Sequence, residues 1–175
     1  MQDNENDDGR TGYNTSKEDR PLGAYALLIA AFHATFAFFL LAVRRSGRPL
    51  PEQPRPDDIL LLGIATHKLS RLLAKDAVTS ALRAPFTRYQ GPAGSGEVNE
   101  APRGRGLRHA VGELLTCPFC LSQWIGAFLG YGLVFAPRVT RFVAGLFAVF
   151  TVADFVQYGY DITKQRAERA ERQQD

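Results

Sequence analysis

The chain has 175 residues, with 21 Lys and Arg against 18 Asp and Glu, a formal net charge of +3 and an apolar fraction of 45%. That length fits a single domain, and two cysteines are too few for a disulfide framework. The apolar residues are gathered into long blocks, which excludes an ordinary soluble globule and points to a membrane protein.

Residues 1–20 hold six acidic and three basic residues and almost no apolar side chain, so a disordered acidic tail is expected there. Residues 22–43 contain no Asp, Glu, Lys or Arg. At ~1.5 Å per residue such a helix crosses a hydrocarbon core of ~30 Å. Arg44 and Arg45 follow in place of a small-residue cleavage site, so residues 21–45 read as a transmembrane anchor rather than a cleaved signal peptide.

The next segment, residues 58–83, is amphipathic. An apolar run over 59–65 is followed by His67, Lys68, Arg71 and Lys75 at spacings of three and four, opposite Leu69, Leu72 and Leu73. Two readings stay open: an interfacial helix with its basic face on anionic lipid headgroups, or a short span whose cationic side chains snorkel outward. Residues 84–109 are rich in Gly, Pro and Arg and carry no periodic pattern, so a structureless loop is expected. Within it "GPAGSGE" lacks a preceding strand and a Gly-Lys-Ser/Thr, and reads as a flexible loop rather than a phosphate site. The basic residues nearby lack interleaved aromatics on which bases would stack, so no nucleic-acid partner is expected.

Residues 114–137 are uncharged, and residues 142–160 carry one acid, Asp154. Both blocks are long enough to span, and residues 137–141 alone separate them, which predicts a helical hairpin. Residues 161–175 read as a charged, solvated helical tail. The expected fold is therefore all-α: a small integral membrane protein with three transmembrane helices, or four if residues 58–83 span.

Lys and Arg counts set the orientation. Three spans with the N-terminus outside divide them sixteen to five, and four spans with the N-terminus inside divide them thirteen to six, leaving Lys68 and Arg71 in the membrane. Either way the loop 84–109 and the C-terminus are expected to be cytoplasmic.

Asp154 is an intramembrane carboxylate, which needs a partner or a polar cavity. For a hairpin turning near residues 138 and 139, Asp154 falls level with Gln123 and Gln157 level with Cys120, so a polar cluster of Gln123, Asp154 and Gln157 is expected. Ser122, Gly126 and Gly130 recur every four residues, a small-residue stripe suited to close helix contact or a homodimer. Both cysteines lie in "TCPFC", with Pro118 placed as a first helical residue, Cys117 as its N-cap and Cys120 one turn in. Three readings of the pair stay open. The thiols are buried packing groups with a resting dithiol state, or Cys117 and Cys120 form a redox pair activated by the helix N-terminus. In the third, they supply half of a zinc site, which needs four ligands and hence His109 or a second chain, whose same two cysteines would complete a four-cysteine site; no cofactor is otherwise expected.

The runs "LLLGIATHKLSRLLAKDAVTSALRAPF" and "GSGEVNEAPRGRGLRHAVGELLTCPFCLSQW", followed by the second hairpin helix, resemble a bacterial membrane family known as domain of unknown function 1360, DUF1360. The resemblance covers residues 58–160 and places Arg71, Asp76, Arg83, Glu113, Cys117, Cys120 and Trp124 on the family's motif positions. It implies a multi-pass protein of the bacterial cell membrane and brings no established activity. A non-enzymatic membrane or interaction component with a basic cytoplasmic face is the expected function, and a thiol-redox or metal-binding protein using Cys117 and Cys120 is the alternative.

Overall fold

The computed structural model describes residues 20–172. The expectation for residues 1–20 thus falls, apart from Arg20, outside the described residues. Helix α1 (Leu22–Ser46) ends where Gly47 turns left-handed at φ 64°, with Arg44 and Arg45 in its last turn against the negative end of the helix dipole. Helix α2 (Pro56–Lys75) begins with Pro56 in the first turn and with Asp57 and Asp58 at the positive end of its dipole. A single 3-10 turn (Ala77–Thr79) and the short α3 (Ser80–Arg83) lead into strands β1 (Thr87–Gly94) and β2 (Glu97–Pro102). Helices α4 (Gly106–Thr116), α5 (Pro118–Phe135) and α6 (Pro137–Arg172) complete the chain.

Side-chain contacts give the helix directions. Arg141 grips Asp58 through two bonds of 2.7 and 2.8 Å, joining the first turns of α6 and α2, so these helices run parallel. Helix α5 runs back against them, with Gly126 facing Thr66 of α2. Helix α1 runs alongside α5 in the same direction: Phe32 meets Trp124 edge-on at 5.2 Å, Phe39 stacks on Tyr131 at 4.2 Å, and Arg48 donates to the carbonyl of Phe135 at 2.9 Å. The start of α1, the end of α2, the β-hairpin and α4 therefore share one end of the molecule. The segment 47–55 and the α5–α6 turn share the other.

Among the described residues α1, α5 and residues Pro137–Ala170 of α6 are long and apolar enough to cross a membrane. Few of their side chains are buried within the protein, and large apolar groups such as Phe38, Phe142 and Phe155 point outward. The protein is thus helical with an outward apolar girdle, as the apolar blocks predict. Where α2 meets its neighbours the most deeply buried residues are small: Ala65, Ser70 and Ala74 on α2, and Thr140, Ala144 and Thr151 on α6. Small side chains let helix backbones approach closely without an apolar driving force.

Three expectations change. The segment 84–109 is not structureless: β1 and β2 pair antiparallel, from Thr87 opposite Pro102 to Gly94 opposite Glu97. Ser95 and Gly96 form the turn with φ of 47° and 79°, the positive values that a tight hairpin turn of the I′ kind demands. The hairpin has no alternating apolar face; ion pairs to α2 and α3 and close packing against α4 hold it in place. The second change is the α5–α6 connection, which is the single residue Ala136 rather than residues 137–141. Residues level across the two helices then sum to about 272, which moves Asp154 from the depth of Gln123 to that of Pro118. The third is that α6 continues unbroken through the charged tail, its 36 residues reaching roughly 54 Å.

Candidate functional site: a charged cavity beside the hairpin

The hairpin is fastened by one buried arginine. The side chain of Arg83 is 1% exposed and that of Glu100 is 4% exposed. Arg83 Nε donates to Glu100 Oε2 at 2.8 Å and Nη2 to Oε1 at 3.2 Å. Its remaining donors reach the Leu73 carbonyl at 2.7 Å, Thr79 Oγ1 at 2.6 Å, the Asp76 carbonyl at 3.0 Å and Ser80 Oγ at 3.1 Å. Two of these are carbonyls at the end of α2, which the helix itself leaves without partners. Thr87 Oγ1 donates to Glu100 at 2.8 Å. Burial pushes the Glu100 carboxyl up, but the bonds from Arg83, Ser80 and Thr87 and the Arg83 charge outweigh it and hold the group below its ordinary range.

Beside this joint a cavity of about 710 Å³ opens between α2, the hairpin turn and α6. Lys68 and Arg71 enter it from α2, Asp76 and Glu97 from the joint, and Asp154 and Asp161 from α6. Lys68 Nζ donates to Asp154 Oδ2 at 2.6 Å, with the lysine side chain 17% and the aspartate 39% exposed. Arg71 forms an ion pair with Glu97 in which Nε stands 3.1 Å from Oε1 and Nη2 makes the closer contact. Desolvation raises the Asp76 carboxyl, and the charges of Glu97 and Asp154 push the same way against those of Lys68 and Arg71.

The intramembrane carboxylate Asp154 thus has a partner, and the partner is Lys68. Gln157 lines the same cavity as Asp154, whereas no residue of α5 does, and Gln123 is exposed. The structure brings together Asp154 and Gln157 without Gln123, for the reason already given: the earlier turn displaces α5 by about five residues relative to α6. Ser122 and Gly126 line a separate groove with Leu62 and Thr66 of α2, whereas Gly130 lines one groove with Asp58 and Ile59 of α2 and another with Phe32 and Phe36 of α1.

Cys117 caps α5, its sulfur accepting from the Cys120 backbone N–H at 3.2 Å, and Pro118 occupies the first turn. The two Sγ atoms lie at disulfide distance, with Cα atoms 5.3 Å apart. They are not a buried packing pair: Cys117 is half-buried, Cys120 is exposed, and Phe119 between them is 85% exposed, because this first turn of α5 faces outward. Among the described residues no group of three or more His, Cys, Asp or Glu is arranged to hold a metal ion. One turn before, Glu113 accepts from Tyr25 at 2.5 Å and from Arg20 at 3.1 Å and lies 3.6 Å from His109, which ties α4 to the start of α1. Of the motif residues, Arg71, Asp76 and Arg83 meet at the joint and cavity, while Glu113 and Trp124 line the contact with α1.

Sequence reasoning missed Glu97 and Glu100 and the pairing of Lys68. The signal that pointed to them was the unmatched arginine and lysine stripe of residues 68–83, which needed carboxylates from elsewhere in the chain.

These features define a class: a small helical membrane protein whose bundle carries a clamped β-hairpin and a charged cavity at one end. Residues 61–160 match the family described as protein of unknown function, DUF1360, and the chain belongs to that family. It is similar to the sporulation protein YjcA of Bacillus subtilis (strain 168), at 29% identity over 102 residues that cover 57% of this chain and 86% of that protein. No solved structure matches the chain. The family match contains the joint and most of the cavity, and leaves α1 and Asp161 outside it.

Proposed function

We propose that the chain is a four-span protein of the bacterial cell membrane that acts without catalysis, holding a folded basic face at the cytoplasmic surface. The observation that carries this reading is the course of α2, which lies against α5 and α6 with each of three charges matched: Asp58 by Arg141, Lys68 by Asp154 and Arg71 by Glu97. Cations inside a membrane are tolerated when paired in this way. Four crossings put both termini and the hairpin on one side, and the count of thirteen Lys and Arg against six makes that side cytoplasmic. Arg88, Arg105 and Arg108 are exposed on the hairpin and α4, where anionic headgroups would meet them.

Single-cysteine labelling tests the reading in a chain whose own cysteines are changed to serine. An impermeant thiol reagent applied to intact cells should label Glu52→Cys and reach Asn99→Cys only after permeabilisation. Protection of Glu52→Cys would return α2 to the membrane surface, and labelling of Asn99→Cys would reverse the orientation.

A thiol-redox role is the second reading, favoured by the sulfur pair at the exposed start of α5. Cys117 would act as the attacking thiolate on a partner disulfide, favoured by the helix N-terminus, and Cys120 as the resolving thiol. The partner disulfide would be reduced to a dithiol as the Cys117–Cys120 bond forms. Thiol trapping before and after oxidant decides this: a pair that does not change state excludes the role.

A further inference from the structure

The cavity between α2, the hairpin turn and α6 holds four carboxylates, Asp76, Glu97, Asp154 and Asp161, against two cations, Lys68 and Arg71. Each cation is already engaged by one carboxylate, Lys68 by Asp154 and Arg71 by Glu97. Asp76 and Asp161 form no ion pair among the described residues; Asp76 feels the charges of Lys68 and Arg71, but those two cations are already shared with Asp154 and Glu97, and four carboxylates still exceed two cations. Unbalanced carboxylates around a partly desolvated space repel one another, and a cation entering that space relieves the repulsion.

An inorganic metal ion fits poorly, since no three acidic, His or Cys groups among the described residues converge as metal ligands. The volume of about 710 Å³ lies within the range of small-molecule sites. Its outer wall carries Phe155 and Tyr158 of α6, both substantially exposed, so the cavity combines carboxylate acceptors with aromatic and apolar surface. Two aromatics do not enclose a quaternary ammonium, which is recognised by a cage of several rings. A primary ammonium has acceptors on both sides of this cavity, Asp161 and the side-chain oxygen of Gln157 on α6 and Asp76 at the end of α2.

We propose that this cavity is a binding site for a primary ammonium group, carried either by a lipid headgroup or by a soluble amine. The inference rests on the cavity alone and does not depend on which side of the membrane the hairpin occupies.

The test uses the purified full chain in two arms. In nanodiscs, native mass spectrometry compares retention of phosphatidylethanolamine with that of phosphatidylcholine, which has the same phosphate but no ammonium hydrogens. In detergent, calorimetry titrates putrescine. Preferential retention of phosphatidylethanolamine assigns a headgroup, and saturable putrescine binding assigns a soluble amine. In either arm the double variant Asp76→Asn with Asp161→Asn should weaken binding about tenfold or more, the loss of a charge-assisted hydrogen bond. Asp161→Asn alone alters an exposed residue, keeps the fold intact and should weaken binding by a smaller factor. No selectivity for the ethanolamine lipid together with no saturable putrescine binding overturns the proposal, as does binding that neither variant reduces.

Discussion

At the joint between α2 and the hairpin, Arg83 gives every guanidinium nitrogen to a partner and is matched by a carboxylate that is itself held by Thr87. About two turns before the end of α2, Lys68 meets one oxygen of Asp154 and faces a cavity in which carboxylates outnumber cations. The two ion pairs use similar chemistry in different surroundings. At the joint the charges balance and the donors are spent, so nothing is left over to bind a ligand. In the seam the charges do not balance and the space is open. Saturation marks a structural fastening, and imbalance marks a place where something else belongs.

The largest effect should come from breaking the joint. Arg83→Met removes one partner of a buried pair, leaving the Glu100 charge uncompensated and the Leu73 carbonyl without its donor, a loss of about 3–5 kcal/mol. Thermal unfolding in detergent and hydrogen exchange across residues 87–102 would measure it. Arg83→Lys should rescue little, since an ammonium cannot reproduce the planar fork. A result under 1 kcal/mol would mean that the hairpin is held by something other than this pair.

Acid should loosen the same joint from the other partner. Glu100 titrates below its ordinary value of about 4.3, so its contribution is fully present above that pH and is lost as the pH falls through the lower folded value. Hairpin protection should therefore fade below about pH 4 in the wild type. Glu100→Gln should remove most of that pH dependence.

Changes in the seam should cost less. Lys68→Met leaves Asp154 without its partner and should destabilise by about 2 kcal/mol, while Lys68→Met combined with Asp154→Leu should recover much of the loss. If the single variant is neutral, Asp154 is already satisfied by water and the pair is incidental.

How much of this was legible in the sequence follows from the kind of signal each part leaves. The apolar runs of α1, α5 and α6 announce themselves, because a bilayer demands a length and a composition that nothing else imitates. The cap at Cys117 and Pro118 was equally readable, since it depends on residues next to one another. The hairpin was not: "TRYQGPAG" and "EVNEAP" have no alternating apolar face, and what fixes them is Glu100 reaching an arginine 17 residues earlier. The depth of Asp154 was misjudged because it depended on the residue at which α5 gives way to α6, and a shift of that turn by two or three residues moves every level pair by twice as much. Patterns along the chain reveal elements. Pairings across it are seen only when an unmatched charge prompts a search for its partner.

The smallest effect separates the α4–hairpin contact from the α5–α2 contact at the level of single glycines. A Cβ added at Gly112 of α4 would stand 2.5 Å from the backbone carbonyl oxygen of Phe86 and 3.1 Å from Pro102, so Gly112→Ala has to push helix and hairpin apart and should cost about 1–3 kcal/mol. A Cβ added at Gly126 of α5 would meet only the Thr66 side chain, at 3.6 Å or more, which is ordinary contact. Gly126→Ala should therefore change stability by no more than about 0.5 kcal/mol. It should also leave the oligomeric size in detergent unchanged, because the stripe that includes Ser122 and Gly126 is turned toward α2 of the same chain. A change in oligomeric size with unchanged unfolding would show instead that a second copy competes with α2 for this face, and would support the homodimer that the spacing of Ser122, Gly126 and Gly130 suits.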